Sequence, residues 1–325
     1  MKRTQNLRSF ILILSLINFL MVSIISNAKA QKKAYKWKQT GSTLALIKED
    51  LILWQFNFDK EKDKPYFHPL RTIKGYELTL ERPADHTWHR GLWFSWKYIN
   101  KVNYWEENAS SGLSKGRSKI DQVQIKTSKD FSSEIVLHLT YSDSTGSVLK
   151  EVRTLLISAP NLKNNSYTVV WKHRFSAISD VVLDLEKPAL HGGVSYGGYA
   201  GLAFRGASTL KQPLFLASSG WSTTKDTTGF GSHERWMDMT AKASAGTDNL
   251  VGLTIFDHQS NPRSPSPWYI WYSSGHNLFF MPSLLFDGPM TLTKGKELEL
   301  NYKCWIHDGR KSKKEIEREN SSFNR

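Results

Sequence analysis

The sequence predicts an all-β fold: an antiparallel β-sandwich, extended into large sheets in the manner of a supersandwich. Three observations carry this. Apolar residues recur with a period of two, turn-forming clusters separate them at short intervals, and past the amino-terminal thirty residues no apolar-striped stretch of twelve reads as a helix. Strand following strand with no interleaved helix argues against any βαβ architecture.

From the amino end, Lys2, Arg3 and Arg8 precede a nearly unbroken apolar run from Phe10 to Ile25, and Ala28-Lys29-Ala30 offers the small residues at which signal peptidases cut. Residues 1–30 therefore read as a signal peptide, and the mature chain is expected in the periplasm or secreted. The competing reading is a membrane anchor, for which the run is short. No second run of that kind follows, so no transmembrane anchoring is expected after cleavage.

Residues 44–47 and 51–56 then read as two strands about the turn Lys48-Glu49-Asp50, and a charged loop ends at Pro65. Residues 66–70 and 76–80 follow as strands about Lys74-Gly75. Four longer strands are expected at 118–127, 131–141, 147–157 and 166–175, with Ile135, Leu137 and Leu139 giving the cleanest alternation. Further strands are expected at 214–218, 249–256, 278–285 and 297–307. Residues 31–310 are thus expected to form a single β-sandwich domain. Residues 311–325 lack an apolar stripe and are expected to be a charged flexible tail.

Lysine and arginine number 44 against 30 acidic residues, a formal charge of +14, and removal of the leader leaves 40 against 30. A basic exported protein attracts polyanions, so an anionic oligosaccharide or polysaccharide is the expected partner and nucleic acid is not. Cys304, the lone cysteine, rules out an intramolecular disulfide and reads as a small buried apolar residue of a strand. The pairs Gly192-Gly193 and Gly197-Gly198 match neither a dinucleotide-binding nor a phosphate-binding glycine motif, and no cofactor is expected.

Chemistry concentrates in residues 81–94, where Pro83 and Gly91 bracket a loop holding Asp85, His86, Trp88, His89 and Arg90, with Trp93 after it. Histidine can act as acid, base or metal ligand near neutral pH, and arginine can grip a carboxylate in a fork. Tryptophans offer flat faces to sugar rings. His86-x-x-His89 raises a divalent metal, with His191, His233 or His258 as completing ligands, but two ligands alone are a weak motif. Residues 191–205 alternate glycine with aromatics and end at Arg205. Residues 233–238 hold Glu234 and Asp238 on an expected hairpin. Residues 256–268 hold Asp257, His258, Arg263 and Trp268 in a loop stiffened by three prolines.

His68-Pro69-Leu70-Arg71, the run from His86 to Phe94, Asn103-Tyr104-Trp105, Tyr196-Gly197-Gly198, Trp236-Met237-Asp238, Phe256-Asp257-His258 and Asn261-Pro262-Arg263 together resemble the PmoA-like family. That label derives from an early association with methane oxygenase. The resemblance implies an exported bacterial protein of carbohydrate-rich catabolic settings and carries no catalytic assignment. Trp88 stands where the family pattern often has a histidine, which weakens the metal reading and adds a sugar-stacking face.

The expected function is a carbohydrate-active enzyme that breaks the glycosidic bonds of an anionic glycan by hydrolysis or elimination. Hydrolysis would use two carboxylates from Asp85, Glu234, Asp238 and Asp257. Elimination would use His86, His89 or His258 as base. Arg90, Arg205 and Arg263 would bind anionic groups, and Trp88, Trp93 and Trp268 would stack on sugar rings. The alternative is a noncatalytic glycan-binding protein built from the same tryptophans and arginines.

Overall fold

Alternation becomes architecture in the computed structural model, which describes residues 35–223, 230–273 and 277–325. The expected signal peptide lies outside the described residues. In the strand Ser133–Asp143, Ile135, Leu137, Leu139 and Tyr141 are buried while the intervening residues are half-buried. It is one of nine antiparallel strands in a sheet whose centre is formed by Leu250–Asp257, Glu297–Asp308 and Ser166–Ala177. An eight-stranded sheet runs from Tyr35–Gln39 at one edge to Trp268–Ser273 at the other. A third sheet, of four short strands, includes Tyr98–Ile99 and Val181–Asp184.

The two large sheets face each other across the main core. Phe67 meets Trp171 edge-on at 5.7 Å between ring centroids, Phe94 lies 4.2 Å from His173, and Phe215 lies 5.5 Å from Phe280. Face-to-face packing of this kind buries one side of every central strand and gives the β-sandwich expected from sequence. Cys304 lies in that core, where burial pushes its thiol far above the ordinary range.

Three local expectations need correction. Residues 76–80 form no strand: Glu77 and Thr79 make isolated bridges to Arg71 and Gly206. The strand expected at 278–285 stops at Pro282, because the chain turns through residues 284–287. The tail is not flexible but helical over Lys313–Phe323. Ser312 caps that helix in a capping box with Glu315, satisfying backbone N–H groups at its start. Ile316 then packs beneath it on Trp236, Phe256 and Trp305, on the outer face of the nine-stranded sheet. Among the described residues no helix is long and apolar enough to cross a membrane.

A candidate active site on the outer face of the eight-stranded sheet

Period two gives the eight-stranded sheet a second, outward face, and that face is also aromatic. Leu92, Phe94, Leu202, Phe204, Phe280, Trp268 and Ile270 point into the main core, while Trp93, Ala203, Tyr269, Phe279 and Met281 join Trp105 in a separate buried cluster. Over this cluster lies a cavity of about 300 Å³, walled by Trp88, Tyr196, Tyr199, Tyr269, Trp271 and Phe279 and carrying His86, His89 and Arg205.

The loop of residues 82–90 brings the histidines there. A bridge between Glu81 and Arg90 closes its ends, and two turns shape it, with His86 N–H donating to the Pro83 carbonyl and His89 N–H to that of His86. Gly91 ends the loop at φ +77°, where a Cβ would lie 2.6 Å from the Phe67 carbonyl oxygen. Only glycine meets both demands without strain. Behind the loop, Lys64 donates to Glu107 at 2.8 Å and to the Trp88 carbonyl at 3.4 Å. Burial lowers the Lys64 ammonium to a pKa of about 8 against the opposing pull of Glu107.

Inside the cavity the polar groups form a short chain. Asp85 accepts from His86 Nδ1 at 2.8 Å and from Arg205 Nη2 at 3.1 and 3.0 Å through its two oxygens. Arg205 Nη1 lies 3.5 Å from His89 Nδ1. A guanidinium only donates, so His89 Nδ1 is the accepting nitrogen and Nε2 carries the ring proton. His86 plays the opposite part through its Nδ1, since a carboxylate only accepts: that nitrogen is the donor, and Nε2 is the ring nitrogen left clear of Asp85. Burial, with Arg205, holds His89 well below the ordinary histidine range, so it is neutral. Burial alone would raise the Asp85 carboxyl, but the hydrogen bonds from His86 and Arg205 hold it below its usual value.

A second polar chain supports Tyr199, another lining residue of the cavity. Tyr199 Oη bonds Glu106 and Lys97 at 3.1 Å each, and Lys97 also pairs with Glu106. Burial would raise Glu106, and Lys97 outweighs it and keeps the carboxylate ionised. Burial and the adjacent Glu106 raise the Tyr199 hydroxyl, which therefore stays protonated.

Of the residues expected from sequence, Asp85, His86, Trp88, His89 and Arg205 are thus brought together. Trp93 supports rather than lines the cavity, buried with its ring 5.1 Å from that of His89. The others lie elsewhere, each for a physical reason. Arg90 is buried behind the loop, paired with Glu107 and Glu81. Glu234 is buried and saturated by Ser218, Ser219 and Trp221, and Asp238 by Thr240, Thr254 and His307. Asp257 accepts from Asn261 and from Ser266 N–H, and burial raises its carboxyl. His258 bonds Ser260 and packs on Phe323 of the terminal helix. Arg263 clamps the carbonyls of Leu284, Gly288 and Pro289. Trp268 is fully buried and donates to the Glu234 carbonyl. Asp257, His258 and Arg263 of the proline-stiffened loop thus bond within the protein and do not line the cavity.

The hairpin expected at residues 233–238 is a bridge at His233 followed by the strand Trp236–Lys242, an inner strand of the nine-stranded sheet. The histidines expected to complete a metal site do not join His86 and His89: His191 and His233 both bond Asp287, at 3.2 and 3.1 Å. Among the described residues no three His, Cys, Asp or Glu side chains are placed to hold a metal ion. Sequence reasoning missed Tyr269, Trp271, Phe279, Lys97 and Glu106. The aromatic run from Trp268 to Tyr272 was the available signal, with period two assigning Tyr269 and Trp271 to the face opposite Trp268.

Fold and site together define a β-sandwich protein with an aromatic-walled cleft carrying a histidine pair. The chain belongs to a family of unknown function, DUF6807, whose pattern it matches over residues 43–320. No curated protein matches it. Among solved structures it is similar to the alpha-galactosidase from Lactobacillus brevis, with 10% identity and a TM-score of 0.43 over 89% of this chain and 41% of that one. It is also similar to a beta-arabinopyranosidase, with 11% identity and a TM-score of 0.38 over 78% of this chain and 38% of that one. A galactose mutarotase related enzyme from Lactobacillus acidophilus is similar at 9% identity, with a TM-score of 0.35 over 84% of this chain and 97% of that one. The chain spans about two-fifths of the length of the first two.

Proposed function

We propose that this protein is an exported enzyme that abstracts a carbon-bound proton next to the carboxyl group of a uronate sugar and eliminates the glycosidic bond. The observation that supports it is the opposite hydrogen-bonding roles of the His86 and His89 Nδ1 atoms, one donating to Asp85 and the other accepting from Arg205, in an aromatic cleft. His86 Nε2, the nitrogen that Asp85 does not hold, is the base, and Asp85 on the far nitrogen stabilises the imidazolium that forms. His89 is a neutral donor whose Nε2–H stabilises the negative charge developing on the sugar's carboxyl oxygen, a task that donors prearranged in a dry site perform well. Arg205, behind His89, strengthens that hydrogen bond. The electron pair of the broken C–H bond forms a carbon–carbon double bond, the glycosidic C–O bond breaks, and the proton on His86 passes to the leaving oxygen. Trp88 and Tyr269 supply apolar faces for the ring.

Hydrolysis fits these groups less well. It needs one protonated carboxyl near neutral pH, and Asp85 and Glu106, the carboxylates in the two polar chains at the cleft, are both held ionised by cations. The experiment is to incubate the mature protein with uronate-containing, sulfated and neutral oligosaccharides, and to weigh the products. The expected result is a mass-conserving split of a uronate substrate into an unsaturated sugar, lost in His86→Ala. A product heavier by one water, or turnover that survives His86→Ala, refutes the proposal. Binding without turnover would move the reading to a glycan-binding protein.

A further inference from the structure

The strand register gives the cleft a direction. Arg205 pairs with Phe279, and Phe279 pairs with Trp271 on the next strand, so these three side chains form one cross-strand row on the outer face. The row leads from the histidine pair to the strand Trp268–Ser273, the last strand of the sheet. Two strand spacings separate its ends, about 10 Å, which is the span of two linked pyranose rings rather than one.

The far end of that row is apolar and open. Trp271 is 37% exposed and Tyr196 53%, although both line the cavity. A large aromatic side chain left half in water is a burial not yet made. Tyr196 is held in place all the same, because its carbonyl accepts from the Tyr269 hydroxyl at 3.1 Å. By contrast Phe279, in the middle of the row, is buried and packed against His89 at 5.1 Å. The inner part of the cleft is therefore finished as a protein core, and the outer part is unfinished until a ligand covers it.

We propose that Tyr196 and Trp271 form a second sugar-binding position, and that the substrate is an oligosaccharide of at least two rings rather than a single sugar. This rests on the carbohydrate reading of the cleft. The inner ring sits at His86, His89 and Arg205, and the adjoining ring stacks between Tyr196 and Trp271 at the sheet edge.

The test is calorimetric binding of matched mono-, di- and trisaccharides from galacturonate, glucuronate-containing and neutral hexose series, to wild-type protein and to Tyr196→Ala and Trp271→Ala. In at least one series the disaccharide binds about tenfold or more tighter than the monosaccharide, and each variant removes about tenfold of that gain. Monosaccharide binding stays unchanged in both variants, which also reports that they fold. Affinity independent of length overturns this inference and leaves the carbohydrate reading standing. Loss of monosaccharide binding in the variants overturns it too, since the two residues would then support the inner position. No binding in any series overturns both.

Discussion

Glu151 is the residue whose change most severely tests the packing between the sheets. Its carboxylate is wholly buried and accepts from Arg153 Nε at 2.7 Å, from Arg153 Nη2 at 2.9 Å, from His173 Nδ1 at 2.7 Å and from Tyr141 Oη at 2.5 Å. The Phe94 ring closes the network from the opposite sheet, with the Arg153 guanidinium 5.5 Å away. Burial alone would raise this carboxyl, and Arg153 with His173 outweighs it, holding the pKa at about 2 against an ordinary 4.5. That difference is worth on the order of 3 kcal/mol at neutral pH. Glu151→Gln keeps the shape, removes the charge, and leaves the guanidinium of Arg153 buried without its counter-ion, for an expected loss of about 3–5 kcal/mol.

The pH dependence follows with a definite sign. Glu151 has a depressed value in the folded state, so its contribution is complete above 4.5 and is lost as pH falls towards 2. Burial also lowers His173, whose contribution is present above 6.5 and is lost as pH falls below it. Urea denaturation of both proteins between about pH 7 and pH 3 reads both effects. The wild type loses stability on acidification, and the gap between the two proteins narrows below about pH 4.5. A gap under about 1 kcal/mol at neutral pH, or one that does not change with pH, would refute the reasoning.

Two other predictions concern elements that hold the site or close the fold. Ile316→Ala opens a cavity between the terminal helix and Trp236, Phe256 and Trp305, and should cost about 2–5 kcal/mol in the same denaturation assay; a loss under about 1 kcal/mol would mean that the helix does not dock. Gly91→Ala places a methyl group against the Phe67 carbonyl at positive φ, and should lower the thermal midpoint and weaken sugar binding together, because the histidine loop ends there. A variant that melts like wild type contradicts the role given to this turn.

What sequence could and could not disclose follows one division. Where one side of a strand is apolar and the other polar, as at Ile135, Leu137 and Leu139, the period is visible and the strand was expected within two residues of where it lies. Where both faces are apolar, as in Trp268–Ser273, the period is hidden, and Trp268, the tryptophan named from sequence, faces the core while Trp271 lines the cavity. Loop chemistry was legible at Asp85, His86 and His89 because proline and glycine bracket it locally. The carboxylates Glu234 and Asp238 were not, because what saturates them arrives partly from other segments: Trp221 and Ser218 for Glu234, His307 for Asp238. Asp257 was not for another reason: its partners Asn261 and Ser266 are near in sequence, but only the folded path of the loop turns them onto it. The terminal helix was missed because its buried face is thin, resting on Ile316 and Asn320. Its capping box, Ser312 to Glu315, was written in the sequence and was the signal to follow.

Removal of a carbon-bound proton by His86 is open to a direct measurement, deuterium uptake. Uronate-containing oligosaccharides are incubated with the protein in heavy water, and the recovered substrate is examined by proton NMR alongside the products. The expected result is exchange at the carbon beside the carboxyl group, or elimination at that position, present in wild type, reduced at least about hundredfold in His86→Ala, and unaffected in Arg263→Ala, whose arginine lies away from the cleft. Exchange that persists in His86→Ala, or products that form with that carbon's proton untouched, would contradict it.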